Sequence, residues 1–405
     1  MEYTKLGHIA KIQTGPFGSQ LHQSDYKPSG IPCIMPCNIG SNLDIICDNI
    51  AYISEEDLNR LAKHKTQEGD IVYSRRGDIE KCAYISSKES GWLCGTGCLK
   101  VSIDNTVAIP KFIAYLLSTP DSKAWLVGNA VGTTMLNLNT TVLSDFPISL
   151  PDIETQQKVV DIIDAVADKI ELNKQINDNL EQQTKALYKS WFVDFEPFKD
   201  GDFVESELGL IPEGWKVAEL STVTKQITEK VKDRTDVKVL SPVNTGELVL
   251  SEEYFTKQVF SESVSKYIVV KPLQFAYNPA RVNIGSLGMN TFTFDGCVSP
   301  VYVVFECESN YHHFFDYYRK TDGFKEEVLT RAIGGVRQTL SYKDFSLIKL
   351  VYPPQEVVEK FNSIYGKLLD NINSIKSENT KLSDLRDTLL PKLMSGELKI
   401  NEIDC

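Results

Sequence analysis

Residues 159–192 read VVDIIDAVADKIELNKQINDNLEQQTKALYKSWF, and residues 361–394 read FNSIYGKLLDNINSIKSENTKLSDLRDTLLPKLM. The second stretch stands 202 positions after the first, and the two align without a gap. Positions 159, 163, 166, 170, 173, 177, 180, 184, 187 and 191 alternate steps of four and three. Among them are Val166, Ile170, Asn177, Leu180 and Leu187, answered by Leu368, Ile372, Asn379, Leu382 and Leu389. A seam sustained over more than four heptads predicts two long helices that share a coiled-coil face. Forty residues at 1.5 Å rise make a rod of about 60 Å. The bland alternative is that each helix packs only on its own domain. Pairing is favoured because neither helix can bury its apolar stripe alone. Asn177 and Asn379 sit at equivalent seam positions, where a polar residue costs stability but fixes register. In an antiparallel pair they are expected to meet each other.

The repeat reaches further. Residues 130–192 and 332–394 match at the same offset, with Gly132 opposite Gly334, Leu138 opposite Leu340 and Pro151 opposite Pro353. Phe112-Ile113-Ala114-Tyr115 and Phe314-Phe315-Asp316-Tyr317 also stand 202 apart. Earlier pairings, such as Tyr73 with Tyr277 and Leu6-x-x-Ile9 with Leu220-x-x-Val223, need small shifts. A period of half the chain means one structural unit used twice, with a pseudo-twofold between the copies. Pro151-Asp152 and Pro353-Pro354 mark the helix starts; Pro197 and Ser395-Gly396 mark the stops.

The front parts read as mixed α/β. Ile71-Val72-Tyr73-Ser74, Leu99 to Ile103 and Val298 to Phe305 look like strands, and Phe112 to Leu117 and Phe314 to Tyr318 start short helices. The expected order is a front domain over 1–150, a central helix over 151–196, a linker over 197–214, a second front domain over 215–352, a distal helix over 353–396 and a tail over 397–405.

At 42% hydrophobic and 24% charged, the 405 residues describe an ordinary globular composition. No run of about 18 apolar residues suggests a membrane span. Nine cysteines, an odd number, suit a reducing cytoplasm better than a disulfide framework. The net charge of −12 argues against a chain that coats nucleic acid unaided.

Catalytic motifs are thin. Asn278-Pro279-Ala280-Arg281 lacks the second proline and the aromatic of an amino-methyltransferase loop, and no GxxxxGK[ST] loop is present. Cys33-x3-Cys37 and Cys94-x3-Cys98 depart from the usual Cys-x2-Cys knuckle. The second copy keeps only Cys297, opposite Cys98, so no metal site is expected. The polar loop tips are more telling. Tyr73-Ser74-Arg75-Arg76-Gly77 answers Tyr277 to Asn283. Asn129 to Leu136 answers Arg331 to Gln338. Arginine reads guanine edges and Asn or Gln reads adenine edges. The candidate DNA-contacting loops therefore hold Ser19, Gln20, Arg75, Arg76, Lys81, Asn129, Thr133 and Thr134 in the first copy. In the second they hold Arg281, Asn283, Arg331, Arg337 and Gln338. The bland reading of any one of these is a solvated loop tip.

Several phrases together resemble one family. They are Pro147-Ile148-Ser149-Leu150-Pro151 followed by Glu154-Thr155-Gln156-Gln157, and Ser190-Trp191-Phe192-Val193-Asp194-Phe195. Two more are Leu389 to Leu398 and Ile211-Pro212-Glu213-Gly214-Trp215. In this order and at this period they resemble the specificity subunits of type I restriction-modification enzymes, over nearly the whole chain. The resemblance implies two target recognition domains, each reading half of a bipartite double-stranded DNA site, separated by two long antiparallel coiled-coil helices. It implies a non-catalytic subunit that docks two modification subunits and joins restriction, or translocase, subunits. S-adenosylmethionine, ATP and Mg would be used by those partners, with no cofactor in this chain. It also eases the charge conflict, because partners can carry phosphate contacts. The alternative is a coiled-coil scaffold whose front domains hold proteins rather than DNA.

Overall fold

The computed structural model describes residues 3–132, 136–255, 261, 263–308, 310–332 and 339–398. The fold is mixed α/β, with short strands in several small sheets and two long helices. No helix among the described residues is long and apolar enough to cross a membrane. The chain separates into two compact units, residues 1–174 with 376–405, and residues 175–375. The division falls inside both long helices, so each unit holds one sheet domain and half of each helix.

In the first unit, a four-stranded antiparallel sheet has the order Ala10–Thr14, Cys98–Ile103, Ile71–Ser74, Cys82–Tyr84. All four residues of Ile71–Ser74 are buried, so this β-branched and aromatic run is covered on both faces. A three-stranded sheet of Ala51–Ile53, Ile31–Ile34 and Leu93–Cys94 lies alongside in sequence. The second unit repeats the main sheet as Thr224–Ile227, Val303–Cys307, Phe275–Tyr277, Leu287–Met289. The single strand expected from Val298 to Phe305 is instead two, Gly296–Val298 and Val303–Cys307. Pro300 has no N–H to give a ladder, and Tyr302 N closes a turn on the Ser299 carbonyl at 3.0 Å.

The central helix runs Ile153–Phe192 and the distal helix Gln355–Ser395. Asp152 caps the first, its carboxylate accepting from Thr155 N at 2.8 Å. That helix stops before Pro197: Val193 N and Asp194 N both bond the Lys189 carbonyl, and Phe195 takes a left-handed φ of 52°. The distal helix ends at Gly396, whose φ of 73° suits glycine.

All ten seam positions of each helix are buried or half-buried. In the first unit, Val159, Val160 and Ile163 share a core with Leu390, Leu393 and Met394. Further along the central helix, Ile170 and Asn173 meet Asn379. Residue numbers rise on one helix as they fall on the other, so the halves pair antiparallel. In the second unit Phe192 packs on Phe361, centroids 4.9 Å apart, in a core with Tyr188, Val357 and Tyr365.

The two seam asparagines behave differently from expectation. Asn379 is bonded by Asn173 Nδ2 at 2.9 Å and donates to the Ile170 carbonyl at 3.3 Å, so its polar partner is Asn173 and not Asn177. Asn177 Oδ1 is buried without a hydrogen-bond partner. The repeat accounts for this, because the 202 offset maps the pair Asn173–Asn379 onto Ile375–Asn177. Position 173 thus holds an amide, whereas its counterpart at 375 holds isoleucine.

Candidate nucleic-acid interface

Strand register puts the arginine loop of the first domain beside a second loop. Ala10–Thr14 and Ile71–Ser74 both run antiparallel to Cys98–Ile103, with Thr14 opposite Leu99 and Ser74 opposite Cys98. Both strands therefore finish at the same end of the sheet. Gly15 N then bonds the Cys98 carbonyl at 2.9 Å, and Arg75 N the Gly97 carbonyl at 2.8 Å. Only glycine fits at position 15, since a Cβ there would lie 2.0 Å from the Gly95 carbonyl oxygen. The loop that follows exposes Phe17 and Ser19. Gln20 is half-buried, its carbonyl accepting from Arg60 Nη1 at 2.7 Å and its side-chain oxygen from Phe17 N at 3.4 Å.

From the other loop, Arg75 Nε donates to Asn137 Oδ1 at 3.2 Å, and exposed Arg76 bridges Asn137 through the backbone. Leu138 N bonds the Arg75 carbonyl at 3.0 Å. Asn137 thus joins the arginine loop to the segment after helix Pro120–Asn129, and sequence reasoning passed over it. Its signal lay in the gapless block between Gly132 and Leu138. Asn129 is exposed but turns its amide onto the Trp125 carbonyl at 2.8 Å. Lys81 pairs with Asp78 at 3.2 Å. Thr133 and Thr134 lie outside the described residues.

The second domain repeats the geometry with other side chains. Thr224–Ile227 and Phe275–Tyr277 run antiparallel to Val303–Cys307, with Ile227 opposite Val304 and Tyr277 opposite Val303. Leu340 N bonds the Pro279 carbonyl at 3.1 Å, as Leu138 N bonds that of Arg75. Asn278 Oδ1 accepts from Ala280 N at 3.0 Å, so Asn278-Pro279-Ala280-Arg281 is a turn that presents exposed Arg281. The turn Val282–Ile284, with half-buried Asn283, packs on helix Asp322–Arg331. Arg331 is tied to Glu327 at 3.0 Å. Arg337 and Gln338 lie outside the described residues. The loop Thr228–Arg234 leaves the same sheet end and exposes Lys230 and Lys232. Arg234 there is held by Asp236 at 2.6 Å and Asp295 at 2.9 Å. This loop was missed because the copies align here only with shifts.

Each domain is fastened to its long helix by a carboxylate. In the first unit Asp164 accepts from Tyr115 Oη at 2.5 Å and from Lys111 Nζ at 2.7 Å. In the second, Asp316 accepts from Tyr365 Oη at 2.6 Å, Arg319 Nη2 at 2.6 Å and Lys320 Nζ at 3.0 Å. Burial alone would raise the Asp316 pKa. Arg319 and Lys320 outweigh it and hold the carboxyl well below the usual range. Gln156, fully buried, accepts from Ile109 N at 2.9 Å and donates to the Pro151 carbonyl at 2.9 Å, which gives the Glu154 to Gln157 phrase a structural role. In the second copy Val358 takes that place and is buried without polar atoms.

Buried Cys33, Cys94 and Cys98 belong to the apolar core of the first domain. Burial pushes the Cys33 and Cys94 thiols up to about 12, and Cys98 Sγ donates to the Ile34 carbonyl at 3.4 Å. Among the described residues, no three His, Cys, Asp or Glu side chains gather as a metal site.

The family model for the type I restriction modification DNA specificity domain matches residues 1–182. The MjaIX specificity subunit of Methanocaldococcus jannaschii is 25% identical over 391 residues, covering 94% of this chain and 89% of the relative. The HindI specificity subunit of Haemophilus influenzae is 24% identical over 420 residues, covering 85% and 89%. The crystal structure of the type I restriction-modification S subunit from M. genitalium shares the fold, with a TM-score of 0.63 at 14% identity over 97% of this chain and 96% of that one. Residues 1–182 thus match the type I restriction modification DNA specificity domain, and over nearly its whole length the chain is similar to type I specificity subunits.

Proposed function

We propose that this chain reads a bipartite double-stranded DNA site, one half-site per sheet domain. In this reading the helix pair sets the unspecified gap and docks two modification subunits. The observation that supports it is the shared strand-end geometry: both domains present two loops from the same end of an equivalent sheet, and the side chains at the tips differ. A common frame with different tips suits two unlike half-sites. Catalysis falls to the partners, which would use S-adenosylmethionine, ATP and Mg, in the cytoplasm and together with restriction subunits.

The charge distribution suits this division. Residues 151–200 carry eleven Asp and Glu against six Lys and Arg, whereas residues 1–150 carry fifteen against thirteen. Residues 215–352 carry sixteen against seventeen and residues 353–396 six against six, so the acid excess lies on the central helix and the linker after it and not where bases would be read. The test replaces residues 1–150 with the corresponding domain of another specificity subunit, and maps methylated adenines in a host that also makes the modification subunit. One half of the modified sequence should change while the other half and the gap persist. A change in both halves, or no bipartite pattern with the unaltered chain, overturns the reading.

A further inference from the structure

In the unit formed by residues 1–174 and 376–405, an open cleft of about 510 Å³ lies between the sheet domain and both long helices. Tyr115, Ala167, Ile170 and Leu390 supply its apolar lining. The repeat shows why the space exists. At the 202 offset, Tyr115, Ala167 and Leu390 correspond to Tyr317, Leu369 and Tyr188. In the other unit Tyr188 stacks on Tyr317, centroids 4.5 Å apart and planes 25° from parallel. Tyr188 is only 5% exposed there, and Leu369 packs against the same core. The first unit thus carries Ala where the copy has Leu, and Leu where the copy has Tyr, while the receiving tyrosine remains. Tyr115 cannot swing into the space, because its hydroxyl is held by Asp164.

The lining also narrows the choice of occupant. Three basic and three acidic side chains share it, so a lone charged ligand gains little from one sign that the other does not offset. A neutral ring keeps the apolar contacts and the stack that Tyr188 makes in the copy. Aromatic anchors seated in pockets are the usual energetic centres of protein interfaces.

We propose that this cleft is the socket for an aromatic side chain of one modification subunit, which takes the place Tyr188 fills internally in the other unit. The proposal rests on the docking reading above and adds that the two docking events are unequal. The test uses the full chain with purified modification subunit. Leu390→Tyr would supply the missing ring from within. It should leave the thermal midpoint equal or higher and weaken one of the two binding events at least tenfold in titration calorimetry, with one-to-one complexes dominating in native mass spectrometry. Ala167→Leu narrows the same cleft from the other helix and should act in the same direction, which covers a folding failure of the first variant. Two folded variants that both bind two modification subunits as the unaltered chain does would overturn the socket alone. No binding by the unaltered chain would overturn the docking reading together with the socket.

Discussion

Asn173 and Asn177 stand one helical turn apart on the same seam, yet their surroundings differ. Asn173 donates to Asn379 at 2.9 Å and to Glu378 at 2.8 Å, whereas the side-chain oxygen of Asn177 is buried without a partner. An unsatisfied buried polar atom costs about 1–3 kcal/mol, while replacing it with an apolar group of similar shape is neutral or stabilising. Asn177→Leu should therefore raise stability by about 1 kcal/mol in urea unfolding. Asn173→Leu should lower it by about 1–3 kcal/mol, because Asn379 loses its mate. Equal effects of the two substitutions would count against the register described here. The seam positions were legible from the four-three spacing alone. Which asparagine met which was not, since spacing along one helix carries no information about the alignment of its antiparallel partner. At the loop tips, residue types pointed to Arg75, Arg76 and Arg281. Asn137 escaped notice because its contact with Arg75 is made across 62 positions of sequence.

At the scale of elements, what matters is how each sheet domain is seated on its helix. The second unit uses an acid on the short helix, Asp316, bonded by Tyr365 of the long one, and the first uses an acid on the long helix, Asp164, bonded by Tyr115 of the short one. Because the Asp316 pKa is depressed, its contribution is present above the unfolded carboxylate value of about 4 and fades as pH falls toward the folded value. Asp316→Asn should cost about 3–5 kcal/mol near neutrality by leaving Arg319 buried and unpaired. It should also flatten the loss of stability below about pH 4, measured by thermal melts across a pH series. An unchanged acid limb would mean that Asp316 does not govern it. The long helices were readable because heptads repeat for forty residues. The strands were only partly so: three- to five-residue strands give little alternation to read, and Ser299-Pro300 divides what looks like one apolar run. The Thr228–Arg234 loop became visible only when strand register placed it beside Asn278–Ile284.

For the whole molecule, the proposed function makes helix length the measure of the unspecified gap. The Asn173–Asn379 contact fixes where matched insertions belong: one heptad between Gln175 and Ile176, and one between Lys376 and Ser377. Each adds about 10 Å of helix, room for up to about three base pairs at ~3.4 Å. Methylation mapping should show a longer gap with both half-sites unchanged, and the original gap would defeat the idea of a ruler. The division of the chain into units has a further consequence, for the order of events during synthesis. The second unit is one continuous stretch, residues 175–375, whereas the first closes only with residues 376–405. A ribosome therefore releases everything the second unit needs while Val159, Val160 and Ile163 still lack Leu390, Leu393 and Met394 to cover them. The half made first is the half completed last, and until the final helix emerges its apolar stripe must be kept from other nascent chains.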